Sequence, residues 1–136
     1  MKPVFIDTMG WACLLDRREA RHEKASRLMA EWAQMRRPLL TTDYVVDETA
    51  TLLVARRAGG LLGEFFELLG RSAALTLTPV GPGRFREACG YLLKHRDQGY
   101  SFTDVTSFIV MRELGMSDAL TEDRHFEQAG FRCLLR

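Results

Sequence analysis

Apolar positions along this chain fall into short β-prone runs separated by longer stretches of helical spacing. Val4 to Ile6 is such a run, and it ends at Asp7. A helical stretch follows from about Gly10 to Leu15. A second helix begins near His22, because Ala25, Leu28, Met29 and Trp32 recur at i, i+3, i+4 and i+7. Arg36-Arg37-Pro38 ends it, since the residue before proline avoids the helical region. Leu39 to Thr42 reads as a strand, and Asp43 as the cap of a helix from Tyr44 to about Ala58, stopped by Gly59-Gly60. Leu61 to Leu69 is strongly apolar with helical spacing. Leu75 to Val80 reads as a strand before a Gly81-Pro82-Gly83 turn. Helices over Arg84 to His95 and over Ser101 to Leu114 follow, the latter closed by Gly115. The last expected strands are Ala119 to Thr121 and Arg132 to Leu135, with a short helix near Arg124 to Ala129 between them.

Strands alternating with helices imply parallel β-α-β units, hence an α/β sheet with helices on both faces. No repeat or linker divides the chain, and 136 residues suit one domain. In such folds ligands bind outside the carboxyl ends of the strands. Asp7 and Asp123 both lie at the end of an expected strand. Two helical acids share apolar faces: Glu48 with Val45 and Leu52, and Asp104 with Ser107, Phe108 and Met111. Burying an ionised carboxylate costs several kcal/mol, on the order given by solvation arguments, unless a cation or several donors compensate. Two inward helical acids and two strand-end acids therefore point to a cluster around a cation, and oxygen ligands favour Mg²⁺ or Mn²⁺ over zinc.

Each acid also has a structural reading. Asp7 and Asp123 fit helix caps, Glu48 fits a buried pair with an arginine, and Ser101-Phe102-Thr103-Asp104 has capping-box spacing. Capping and metal binding are compatible, because a carboxylate has two oxygens.

Composition narrows the classes. Lys and Arg number 19 against 18 acids, so no global basic excess marks a nucleic-acid binder. The basic residues between Arg17 and Arg37 offer either a local RNA-facing patch or a solvated helix face. Three widely spaced cysteines, Cys13, Cys89 and Cys133, suggest neither a disulfide framework nor a zinc site. An acid at position 7 and the lack of a long apolar run suggest no signal peptide and no membrane span, so a cytoplasmic location is expected. Met9 stands where a haloacid-dehalogenase phosphatase needs a second acid, and the paired acids of a receiver phosphoacceptor are missing.

Ile6-Asp7-Thr8, Glu48 in the third helix, Ser101-Phe102-Thr103-Asp104-Val105-Thr106-Ser107-Phe108 and Thr121-Glu122-Asp123-Arg124-His125-Phe126 carry a resemblance. The chain resembles the PIN-domain nucleases, most of all the VapC toxins of bacterial and archaeal toxin–antitoxin pairs. The resemblance implies a three-layer sandwich with a central parallel sheet and an acidic pocket at its carboxyl edge. It makes Asp7, Glu48, Asp104 and Asp123 both the catalytic and the metal-holding residues, with Thr8, Ser107 and Thr121 at neighbouring hydroxyl positions. It further implies Mg²⁺- or Mn²⁺-dependent hydrolysis of RNA by an activated water, leaving a 5′-phosphate and a 3′-hydroxyl. The alternative within the family is a non-catalytic scaffold that binds RNA or a protein. Crowded carboxylates without a cation should have raised pKa values. His125, two residues past Asp123, is given no role in this reading.

Leu61, Leu62, Phe65, Phe66, Leu68 and Leu69 fill more than one stripe of a short helix, which is either buried or shared with a partner. The resemblance implies a homodimer and a small antitoxin as the partners, and the apolar stripes of the Leu61 to Leu69 helix make Phe65 and Phe66 expected contributors.

Overall fold

The computed structural model describes all residues, Met1–Arg136. Five strands form one all-parallel sheet: β1 Val4–Ile6, β2 Leu39–Thr42, β3 Leu75–Thr78, β4 Asp118–Leu120 and β5 Arg132–Cys133, in spatial order β3-β2-β1-β4-β5. Seven helices flank it: α1 Thr8–Leu15, α2 His22–Met35, α3 Asp43–Ala55, α4 Leu62–Arg71, α5 Gly81–Lys94, α6 Phe102–Glu113 and α7 Arg124–Gln128. The expected three-layer α/β architecture is the one found.

β1 lies at the centre of the sheet, and its three residues are fully buried. The chain leaves it toward β2 on one side and returns to β4 on the other. This reversal makes the carboxyl ends of β1 and β4 the switch point where ligands bind in such folds. The main core joins β1 and β4 to Trp11, Val45, Leu53, Phe65, Phe108 and Phe126. Trp11 packs edge-on against Phe65 at 5.2 Å and donates from Nε1 to Thr41 Oγ1 at 3.3 Å, while that hydroxyl donates to the Ile6 carbonyl at 2.9 Å. Helix α6 is buried without interruption from Asp104 to Met111, so its acid enters the interior along with its apolar residues.

Three local readings need correction. Thr42, not Asp43, caps α3, accepting from the Val45 amide at 3.2 Å. Asp43 instead accepts from the Val80 amide at 2.9 Å, tying α3 to the start of α5. Gly81-Pro82-Gly83 forms the first turn of α5, where proline's missing N–H costs nothing. Phe65 and Phe66 are not equivalent: Phe65 is core at 0% exposure, whereas Phe66 is 51% exposed. The basic stretch has largely structural work, since Arg21 pairs with Glu122 at 2.6 Å and Arg37 with Asp118 at 2.8 Å.

Gly10 places α1 against the end of β4. A Cβ at this position would sit inside van der Waals contact of the Leu120 carbonyl oxygen, which is backbone and cannot swing away. Gly10→Ala should therefore lower the melting temperature by several degrees, consistent with about 1–3 kcal/mol for overpacking. An unchanged melting curve would show that α1 and β4 do not touch as described.

Candidate active site

The carboxyl edge of the sheet gathers the acids. Asp7 follows β1 directly and occupies the N-cap position of α1, but its side chain makes no capping bond. Its Oδ2 accepts from Thr121 Oγ1 at 2.9 Å, and its Oδ1 is buried with no hydrogen-bond partner. Glu48 comes from the middle of α3, and its Oε1 accepts from Thr8 Oγ1 at 2.7 Å. It has no arginine partner, so the ion-pair reading of Glu48 fails. Asp104 closes a capping box with Ser101, whose amide donates to Asp104 Oδ2 at 3.1 Å. Asp123 caps α7, its Oδ1 accepting from the His125 amide at 2.9 Å. The Asp123 amide in turn donates to Thr121 Oγ1 at 3.1 Å, so this threonine connects two of the acids.

One pattern recurs at all four positions. Each carboxylate has one oxygen held by a protein donor, and its other oxygen accepts no hydrogen bond from the protein. Thr8 and Thr121 do the holding at Glu48 and Asp7. Ser107 does not take part, because its hydroxyl donates to the Thr103 carbonyl at 2.9 Å.

The electrostatics follow from crowding. Burial pushes the Asp7 carboxyl up to about 7, and the charges of Asp104 and Glu48 add to the effect against the Thr8 backbone and the Thr121 hydroxyl. Burial also raises Asp104, with Asp123 adding to the effect, while the Ser101 amide and His125 pull the other way. No lysine or arginine is paired with any of the four.

His125 is the residue that sequence reasoning missed. Its Nδ1 lies 3.1 Å from Asp104 Oδ2 and 3.4 Å from Asp123 Oδ1. Two carboxylates and an imidazole within 4.8 Å of one another make a donor set able to hold a metal. The available signal was Asp123 as a cap, since an N-cap side chain bonds the amide two or three residues on and brings that residue alongside. The buried oxygen on Asp7, the free oxygen on each of the other three acids and the excess negative charge all fit a hard divalent cation.

Fold and site together define a class, and comparison with known proteins gives it a name. The PIN domain family matches residues 4–132. The chain belongs to the PIN-domain family. Among its relatives is the 23S rRNA-specific endonuclease VapC20 of Mycobacterium tuberculosis, found in strains CDC 1551 / Oshkosh and ATCC 25618 / H37Rv. It is 36% identical over 128 residues, covering 94% of this chain and 95% of the relative. The crystal structure of M. tuberculosis VapC20, described as a sarcin-ricin loop cleaving toxin, superposes with a TM-score of 0.83 at 34% identity. That match covers 95% of this chain and 96% of the other.

The Asp7 shift makes a pH prediction for the metal-free protein. Its folded value of about 7 lies above the ordinary 3.8, so the fold favours the protonated acid. The associated stability is complete below 3.8 and is lost as pH rises through about 7. In EDTA, the melting temperature of Asp7→Asn minus that of the wild type should grow between these two values. A difference that stays constant across that range would contradict the shift.

Proposed function

We propose that this protein is a divalent-metal-dependent endoribonuclease in which Asp7, Glu48, Asp104 and Asp123 hold the metal and the chain acts as one nuclease domain. The observation that carries this reading is the contrast between two buried aspartates. Asp118 at the amino end of β4 is met by Arg37 and Arg132 at 2.8 Å each, and although burial works against it, these guanidinium groups hold its carboxyl below the usual range. Asp7 at the carboxyl edge has no cation at all and retains a buried, unpartnered oxygen. A protein that pairs one buried acid so thoroughly leaves the other open for a cation from outside.

The residues have distinct tasks. Thr121 and Thr8 fix the orientations of Asp7 and Glu48, and the helix caps fix Asp123 and Asp104, so each acid offers a free oxygen to a cation with little reorganisation. Mg²⁺ or Mn²⁺ held there would neutralise the cluster, activate a water for in-line attack on phosphorus and stabilise charge on the leaving oxygen. Asp7, the most buried of the four, excludes competing solvent hydrogen bonds from its free oxygen.

The substrate class follows from the relatives. Identity of 36% over nearly the whole of both chains to a 23S rRNA-specific endonuclease, whose crystal structure is described as that of a sarcin-ricin loop cleaving toxin, supports a loop of ribosomal RNA as the target. A small antitoxin is the proposed protein partner, with homodimerisation alongside it. A cavity of about 730 Å³, lined by Leu14, Leu15, Ala58 and Leu61 together with charged residues such as Arg17, Arg57 and Glu64, offers such a partner a mixed apolar and charged surface. Three free cysteines and no helix long and apolar enough to cross a membrane support a reducing, cytoplasmic location. No feature favours a scaffold that binds without cutting.

Purified protein incubated with ribosomes and Mg²⁺ or Mn²⁺ should produce a discrete 23S rRNA cut, mapped by primer extension and ending in a 5′-phosphate. EDTA should abolish it. Asp7→Asn and Asp104→Asn should each reduce the rate by at least about 100-fold, on the scale expected for losing a group that orients transition-state charge. Undiminished cutting by Asp7→Asn in EDTA would refute the mechanism. For the partner surface, Phe66→Asp should leave the melting curve intact while weakening association, and Phe65→Asp should unfold the protein. Equal effects of the two would remove α4 from the interface.

A further inference from the structure

Asp104 and Asp123 present a problem that the four-acid description leaves open. They come from different elements, α6 and the start of α7, and as two carboxylates brought to one imidazole nitrogen they repel each other. Their backbones are anchored by separate helix caps, neither of which reaches across the gap. The side chain that does so is His125. Its Nδ1 stands 3.1 Å from Asp104 Oδ2 and 3.4 Å from Asp123 Oδ1, while its own backbone amide donates to the same Asp123 oxygen at 2.9 Å.

We infer that His125 is a positioning residue that clamps Asp104 to Asp123 and thereby sets the separation of two metal-holding carboxylates. The inference rests on the metal-dependent reading given above. A carboxylate oxygen only accepts, so the ring nitrogen facing the two acids carries the proton and donates. With that nitrogen committed to Asp104 Oδ2, Asp104 Oδ1 and Asp123 Oδ2 are left to face the cation. The other ring nitrogen, Nε2, is turned toward Gly99, away from the carboxylates. His125 therefore acts on the metal through its neighbours and not as a ligand.

The ring is held in place from behind. Tyr100 meets it edge-to-face at 5.3 Å and 87°, and Tyr100 in turn stands edge-to-face on buried Phe108 at 5.1 Å. Phe108 lies one helical turn beyond Asp104 on α6, and Phe126, adjacent to His125, packs against Phe108 at 5.0 Å. The core that positions α6 against α7 thus also fixes the imidazole that joins their acids. Outer partners of this kind tune metal affinity by about 10- to 100-fold when removed.

The test compares the full-length wild type with His125→Ala and His125→Asn, whose amide nitrogen takes roughly the place of Nδ1. Mn²⁺ affinity is measured by isothermal titration calorimetry, melting temperature in EDTA by circular dichroism, and the Mn²⁺ coordination sphere by pulsed electron paramagnetic resonance. His125→Ala should bind Mn²⁺ about 10- to 100-fold more weakly, with little change in melting temperature in EDTA. His125→Asn should restore most of the affinity, and the wild-type spectrum should show no directly coordinated nitrogen. If His125→Ala fails to fold, His125→Ser carries the same comparison. Wild-type affinity in the truncated variant overturns the clamp alone. A coordinated-nitrogen signal overturns it in favour of direct ligation, and a wild type that binds no Mn²⁺ overturns the metal reading beneath it.

Discussion

The structure turns on a buried carboxylate that no protein cation neutralises. Asp7 sits at the end of the central strand, where the chain reverses direction across the sheet, and one of its oxygens has no partner. An unpaired ionised group in such surroundings costs free energy, and the charges of Asp104 and Glu48 near it increase that cost. Proteins retain arrangements of this kind at sites of function, where local stability is given up for a charge-hungry environment.

The rest of the edge is organised so that this frustration has a shape. Thr8, Thr121, Ser101 and the His125 amide each hold one oxygen of one acid, leaving the other oxygen without a protein donor. The strands supply position, because β1 and β4 are neighbours and the Asp7 amide bonds the Leu120 carbonyl at 3.4 Å. Helix caps supply orientation at Asp104 and Asp123, so the residues that terminate the helices also build the site. The opposite end of β4 shows that the fold could have done otherwise, since Asp118 is satisfied there by two arginines.

Much of this was legible in the sequence for identifiable reasons. Fully buried strands read as short apolar runs, and an acid directly after one is conspicuous. Glu48 and Asp104 stood out because helical spacing put a charge among apolar neighbours. The capping readings of Asp104 and Asp123 were also correct, since both side chains accept from amides at helix starts. What escaped was set by tertiary geometry. His125 enters the site because of the way α7 packs on α6 through Phe126 and Phe108, which spacing does not reveal. Phe65 and Phe66 look alike in sequence, yet Trp11 claims only one of them for the core. Gly81-Pro82-Gly83 resembles a turn but begins a helix, because proline suits a first helical turn as well as a β-turn.

The central claim is that Asp7 is held in a protonation-prone state that a divalent cation relieves. The direct measurement is a carbon-13 carboxylate NMR titration of Asp7, run with EDTA and again with Mg²⁺. The account predicts an inflection near 7 without metal, moving well down into the acidic range when Mg²⁺ is added. An inflection at the ordinary value of 3.8 in EDTA, unmoved by Mg²⁺, would contradict it.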